Sequence, residues 1–147
     1  MASIYDTSDN TQLINRIQKL NATSTPLWGK MSVDQMCEHC IAAINVAFGK
    51  QDLTISFPMR LLGRLLKNKA FNSDFGKNSP TAKEFRITSH SDFEKSQTQL
   101  IACVQEFAKG TSVITVMHHP FWGKMSFEDW DKLMYRHLDH HLRQFGV

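Results

Sequence analysis

The run Tyr135-Arg136-His137-Leu138-Asp139-His140-His141-Leu142 gathers three of the chain's seven histidines into five residues. On a helix, His137 and His141 stand four apart and rise from one face, within reach of a single ion. Neutral imidazole is the commonest metal ligand in proteins. Two ligands leave such a site incomplete, so a third must come from elsewhere in the chain.

A short internal repeat points to one source. Trp28-Gly29-Lys30-Met31-Ser32 recurs as Trp122-Gly123-Lys124-Met125-Ser126, and each copy leads into an apolar-periodic stretch. His39 lies seven residues after the first serine; His137 and His141 lie eleven and fifteen after the second. These offsets step by about one helical turn, so two helices that start alike can present histidines at neighbouring depths.

A helical wheel at ~100° per residue sorts the candidates. Phe127, Trp130, Met134, Leu138, Leu142 and Phe145 define a buried stripe, with His141 near its centre and His137 on its shoulder. His140 falls farther round, beside Leu133. His39 lies to one side of the stripe Val33, Met36, Cys37, Cys40, Ile44 and Ala47. The competing reading makes His39 a surface or hydrogen-bonded residue and the C-terminal trio a polar helix end favoured by the macrodipole.

Cys37-Glu38-His39-Cys40 has C-x-x-C spacing but no preceding strand, so its cysteines read as buried small hydrophobes rather than a redox pair. Glu38 and Asp139 adjoin candidate ligands, which on a helix turns them elsewhere. His118-His119-Pro120 belongs to a connector that can approach a site mouth, a loop role being the simpler reading. His90 has no evident role.

The elements that must position these residues follow from caps and periodicity. Residues 9–20 form a first amphipathic helix, capped by Ser8 or Asp9. Ser32 with Gln35 makes a capping box, with Met31 and Met36 as its staple, for a second helix reaching Phe48 and ending at Gly49. Ser91 with Glu94 opens another from Ser91 to Ala108. Ser126 with Asp129, stapled by Met125 and Trp130, opens the last, ending near Gln144. Between them, Met59 to Lys67 reads as a short basic amphipathic helix. It suits either packing on the bundle with solvated basic residues, the favoured reading, or contact with a membrane surface. Residues 70–88 read as loop, and 111–117 as an extended connector ending at Pro120. The pattern is that of an all-α four-helix bundle with one long crossover.

With 147 residues, 41% hydrophobic and 21% charged, the chain has the composition of one globular domain, 1–147. A net charge of +3 is too weak to argue for nucleic acid. No apolar run approaches a membrane span, and the N-terminus lacks the features of a signal peptide. Three cysteines do not suggest a disulfide framework, and a reducing cytoplasm is the expected location.

The capped helix from Ser32 to His39, the long crossover and the final His137-x-x-x-His141 resemble the DinB-like, damage-inducible four-helix metalloprotein superfamily. The phrases Trp28 to Ser32 with Glu38-His39-Cys40, and His119 to Lys124 with His137 to Gly146, look like a branch known only as a domain of unknown function. The resemblance spans nearly the whole chain. It implies an up-down-down-up bundle, a divalent metal (zinc, nickel, iron or manganese) held by His39, His137 and His141, and frequent homodimers. It also implies chemistry on a small molecule, such as metal-dependent thiol S-transfer or hydrolysis, with a low-molecular-weight thiol as one candidate partner. No protein nucleophile stands out. The rival is a non-catalytic, dimeric stress or binding module whose metal site is vacant or vestigial.

Overall fold

A computed structural model describes residues 2–147. The chain is mostly helical: α1 (Thr7–Gln18), α2 (Val33–Ala47), α3 (Phe57–Asn72), α4 (Phe93–Phe107) and α5 (Phe127–Gln144). Among the described residues strand is confined to β1 (His118–His119) and β2 (Gly123–Lys124), paired antiparallel with His119 opposite Gly123. Single 3₁₀ turns occupy Lys83–Phe85 and Gly110–Ser112. Among the described residues no helix is long and apolar enough to cross a membrane.

The two copies of the repeat build the same local device. Gly29 and Gly123 both take positive φ, +82° and +75°, a conformation glycine adopts without a Cβ penalty. Each turn delivers a serine in extended backbone to the head of a helix. At α5 the capping box is reciprocal: the Asp129 amide donates to Ser126 Oγ at 3.1 Å and the Ser126 amide to Asp129 Oδ2 at 2.9 Å. At α2 the Ser32 amide donates to Gln35 Oε1 at 3.1 Å. Two orphan donors at a helix start are thereby satisfied.

α2 packs on α4 and α5, and α1 packs on the same two helices. Their apolar stripes meet in a core that fully buries Leu13, Ile17, Met36, Ile44, Leu100, Phe107, Trp130 and Leu138. α3 lies outside this group, against α5 and β2.

Four details depart from the sequence expectation. α1 begins earlier, because the Asp6 carboxylate accepts from the Ser8 and Asp9 amides. The cap of α4 is Asp92, bonded to the Lys95 amide at 2.8 Å; Ser91 is drawn away by the Asp34 carboxylate of α2, 2.9 Å from its amide. α3 starts after Ser56, carries Pro58 in its first turn, and extends to Asn72 through residues expected as loop. The connector after α4 takes a 3₁₀ turn, sends the Thr115 and Val116 amides to the Ala47 carbonyl at the end of α2, and then pairs as a hairpin.

Candidate metal centre

α2 contributes His39 and α5 contributes His137 and His141, and the packing of these helices brings the three rings together. One ring nitrogen from each lies within 4.8 Å of the others, a cluster able to hold a metal ion. His39 Nε2 and His137 Nε2 are 3.0 Å apart, and ring centroids are 4.7 Å apart for both His39–His141 and His137–His141. His39 and His141 are buried; His137 keeps part of its surface open.

The nitrogens facing away from the cluster fix the tautomers. His39 Nδ1 is 2.9 Å from the Phe85 carbonyl, which can only accept, so Nδ1 carries the proton. His141 Nδ1 is 2.8 Å from Gln144 Oε1. The Gln144 amide nitrogen donates to the Trp28 carbonyl at 2.7 Å, which orients its oxygen toward His141. Both rings therefore turn a bare Nε2 lone pair into the cluster, the arrangement in which a backbone or side-chain acceptor orients a ligating imidazole. His137 Nδ1 is buried with no partner.

Burial, first of all, pushes all three pKa values down. His141 falls to about 3, with the His39 ring adding to the effect against the Gln144 hydrogen bond. His137 lies well below the usual range through burial and then through His141 and His39. His39 is lowered by burial despite its bond to Phe85. Neutral imidazoles with inward lone pairs are what a divalent cation requires. Two nitrogens each ~2.0–2.1 Å from one tetrahedral ion stand roughly 3.3 Å apart, so the triad closes on an ion through side-chain shifts of about 1.5 Å or less. The donor set fits.

The cluster opens into a cavity of about 760 Å³ whose walls include Trp28, Leu53, Phe75, Phe121, Trp122 and Leu133. Lys30 and Lys83 also line it, and among the described residues no aspartate, glutamate or cysteine does. Glu38 points away and accepts from Ser96 Oγ at 2.7 Å. Asp139 pairs with Arg16 at 2.8 Å and Arg143 at 3.0 Å. Cys37 and Cys40 are fully buried thiols; burial first pushes Cys37 up to about 12 and Cys40 well above its ordinary value. They are core residues, not a redox pair.

The remaining histidines divide. His118 is exposed, and His90 sits 3.2 Å from the Asp34 carboxylate. His140 lines the cavity edge-on to Trp28 but is outside the triad. His119 also lines the cavity and is buried. Its Nδ1 accepts from the Phe121 and Trp122 amides at 3.0 and 3.2 Å, so the neutral ring carries its proton on Nε2. Burial, then the charges of His118 and Lys67, hold it at about 4. From sequence His119 belongs to a connector able to approach a site mouth, with a loop role favoured; its cavity position depends on the hairpin turn, which two-residue strands do not announce. The anchoring Phe85 carbonyl carries no residue-type signal at all.

Comparison with curated proteins and with solved structures gives no match. The family model described as "Protein of unknown function (DUF1569)" matches residues 5–146, and the chain belongs to that family.

Proposed function

We propose that residues 1–147 form one DinB-like metalloprotein domain, an up-down-down-up bundle of α1, α2, α4 and α5 with α3 carried on the crossover. It binds a divalent metal through His39, His137 and His141, and acts on a small molecule that has an apolar body and an anionic group. The observation that carries this reading is the pair of anchored rings: Phe85 and Gln144 hold His39 and His141 as the tautomers whose lone pairs meet. Zinc, nickel, iron and manganese all suit imidazole donors.

The cavity supports the substrate class. Its volume is that of a small-molecule site, and its walls are largely aromatic and aliphatic. Three neutral histidines leave the charge of a divalent ion uncompensated, and the acid-free lining with Lys30 and Lys83 favours an anion, either a carboxylate or a thiolate. The His119 Nε2–H, set by two backbone amides, is a neutral donor for a polar atom of such a ligand. A divalent ion held by the three histidines would supply Lewis acidity to a bound water or thiol. Hydrolysis and thiol transfer are the two reaction classes this favours. Among the described residues the lining offers neither reaction a carboxylate or thiol nucleophile.

Elemental analysis of protein purified without a histidine tag tests the reading. Metal near one equivalent per chain, lost in both His39→Ala and His141→Ala, is the expected result. Metal-free protein whose melting temperature ignores added zinc and nickel refutes it. Incubating metal-loaded protein with low-molecular-weight thiols and electrophiles, and separately with ester and amide substrates, then distinguishes the two reactions.

A further inference from the structure

α3 is attached to the rest of the molecule along one narrow face. Only Gly63 and Phe71 of its sixteen residues are buried. Gly63 allows this seating: a Cβ there would meet the Phe121 carbonyl oxygen at 2.2 Å, so the helix backbone lies directly on the β1–β2 turn. Lys67, one turn on, is held by the Asp129 carboxylate at 2.8 Å and by the Lys124 carbonyl. Phe71 completes the same face, against Trp122.

The opposite side is apolar and bare. Phe57 is 79% exposed, Leu65 73% and Leu61 52%, with Leu62, Leu66 and Met59 exposed as well. At ~100° per residue Leu61, Leu65, Leu62 and Leu66 form one continuous outward arc. Six of the eight large exposed hydrophobics of the described residues fall on this helix. Scattered exposed leucines are ordinary; a contiguous set marks an interaction surface. The helix packs on the bundle with solvated basic residues, as favoured from sequence, and its leucines are solvated too.

Its charge says what covers it. From Leu53 to Ser73 the chain has no aspartate or glutamate, while Arg60, Arg64, Lys67 and Lys69 are all in α3. Arg60, Arg64 and Lys69 are exposed. An apolar arc with Lys69 inside it, Arg64 toward one edge and no acidic residue on the helix is the pattern of a helix lying in a membrane interface. A second copy of the same helix would instead set cation against cation. We propose that α3 docks the protein on an anionic lipid surface, its leucines entering the headgroup region and Lys69 and Arg64 meeting lipid phosphates. Ser56 and Met59, at the N-terminal end of α3, line the cavity, so docking would place the cavity rim beside the lipid.

Co-sedimentation with phosphatidylcholine vesicles, with and without phosphatidylglycerol, tests this. Binding is expected only to the anionic vesicles and should weaken as salt is raised. The double variant Leu61→Asp/Leu65→Asp should lose binding on the order of tenfold or more. Arg64→Gln and Lys69→Gln should each cost roughly fivefold, the equivalent of one surface cation. All four positions are exposed, and unchanged helical circular dichroism confirms that the variants fold. Three results overturn the proposal: no binding to anionic vesicles, equal binding by the leucine variant, or self-association in solution that the same leucine variant abolishes.

Discussion

Gln144 Oε1 accepts from His141 Nδ1 at 2.8 Å, three residues back along α5, while its amide nitrogen donates to the carbonyl of Trp28 at 2.7 Å. One side chain thus couples a candidate ligand to the turn that launches the helix bearing another. Losing such an oriented acceptor typically costs 10–100-fold in metal affinity. Gln144→Ala should show a loss of about that size in competition against a chromophoric chelator. Gln144→Glu keeps an acceptor for His141 and should retain much tighter binding than the alanine variant. Equal affinity in all three proteins would mean that Gln144 does not orient the ligand.

Gly29 reaches the same residue from the other side. A Cβ at this position would lie 2.6 Å from Gln144 Nε2, on backbone at φ +82°. At Gly123 the nearest atoms belong to the flexible Arg64 side chain, at 3.2 Å. Each glycine-to-alanine change carries a left-handed backbone cost of about 1–2 kcal/mol. Gly29→Ala should lose more stability than Gly123→Ala in urea titrations, and only Gly29→Ala should weaken metal binding, by displacing Gln144.

Binding to the folded state alone stabilises it by about 2.7 kcal/mol at a free ligand concentration of 100 times Kd. For a chain of this length that is roughly 5–10 °C of Tm. The wild type should show this rise with zinc or nickel in a thermal melt; His137→Ala should not.

His119 makes stability depend on pH. Its pKa is about 4 when folded, against 6.5 ordinarily. Above 6.5 neither state is protonated and nothing is lost. As pH falls from 6.5 toward 4, the unfolded chain takes up a proton that the folded one refuses, so stability declines, by on the order of 3 kcal/mol in all. His119→Gln should flatten this part of the stability curve relative to wild type, whatever its effect at neutral pH. Parallel curves for the two proteins would place the acid sensitivity elsewhere.

Sequence carried the two ends of the chain better than the middle. The Ser32 and Ser126 boxes, the i,i+4 pair on α5 and the repeated glycine turns are local, and local spacing reports them. Helix phase, which links a cap to a depth, made the meeting of His39, His137 and His141 one of two open readings, and the family resemblance singled the three out. The middle has no such clock. α3 gained length from Ser56 and Pro58, and its exposed face follows from where Gly63 meets Phe121, a contact between residues far apart in sequence. The role of Phe85 rests on a backbone carbonyl, and that of His119 on two backbone amides. Main-chain groups are present at every position, so sequence cannot single them out.

His137 differs from its two companions in its anchoring: its Nδ1 is buried without a hydrogen-bond partner. Its ring packs against the rings of His39, His141 and Phe75, the last at 6.3 Å. The chain thus builds two stiff jaws and one compliant one. Were an ion held by the triad, a demand for a different bond length or angle would fall first on position 137, the one ring without an outer hydrogen bond to fix it.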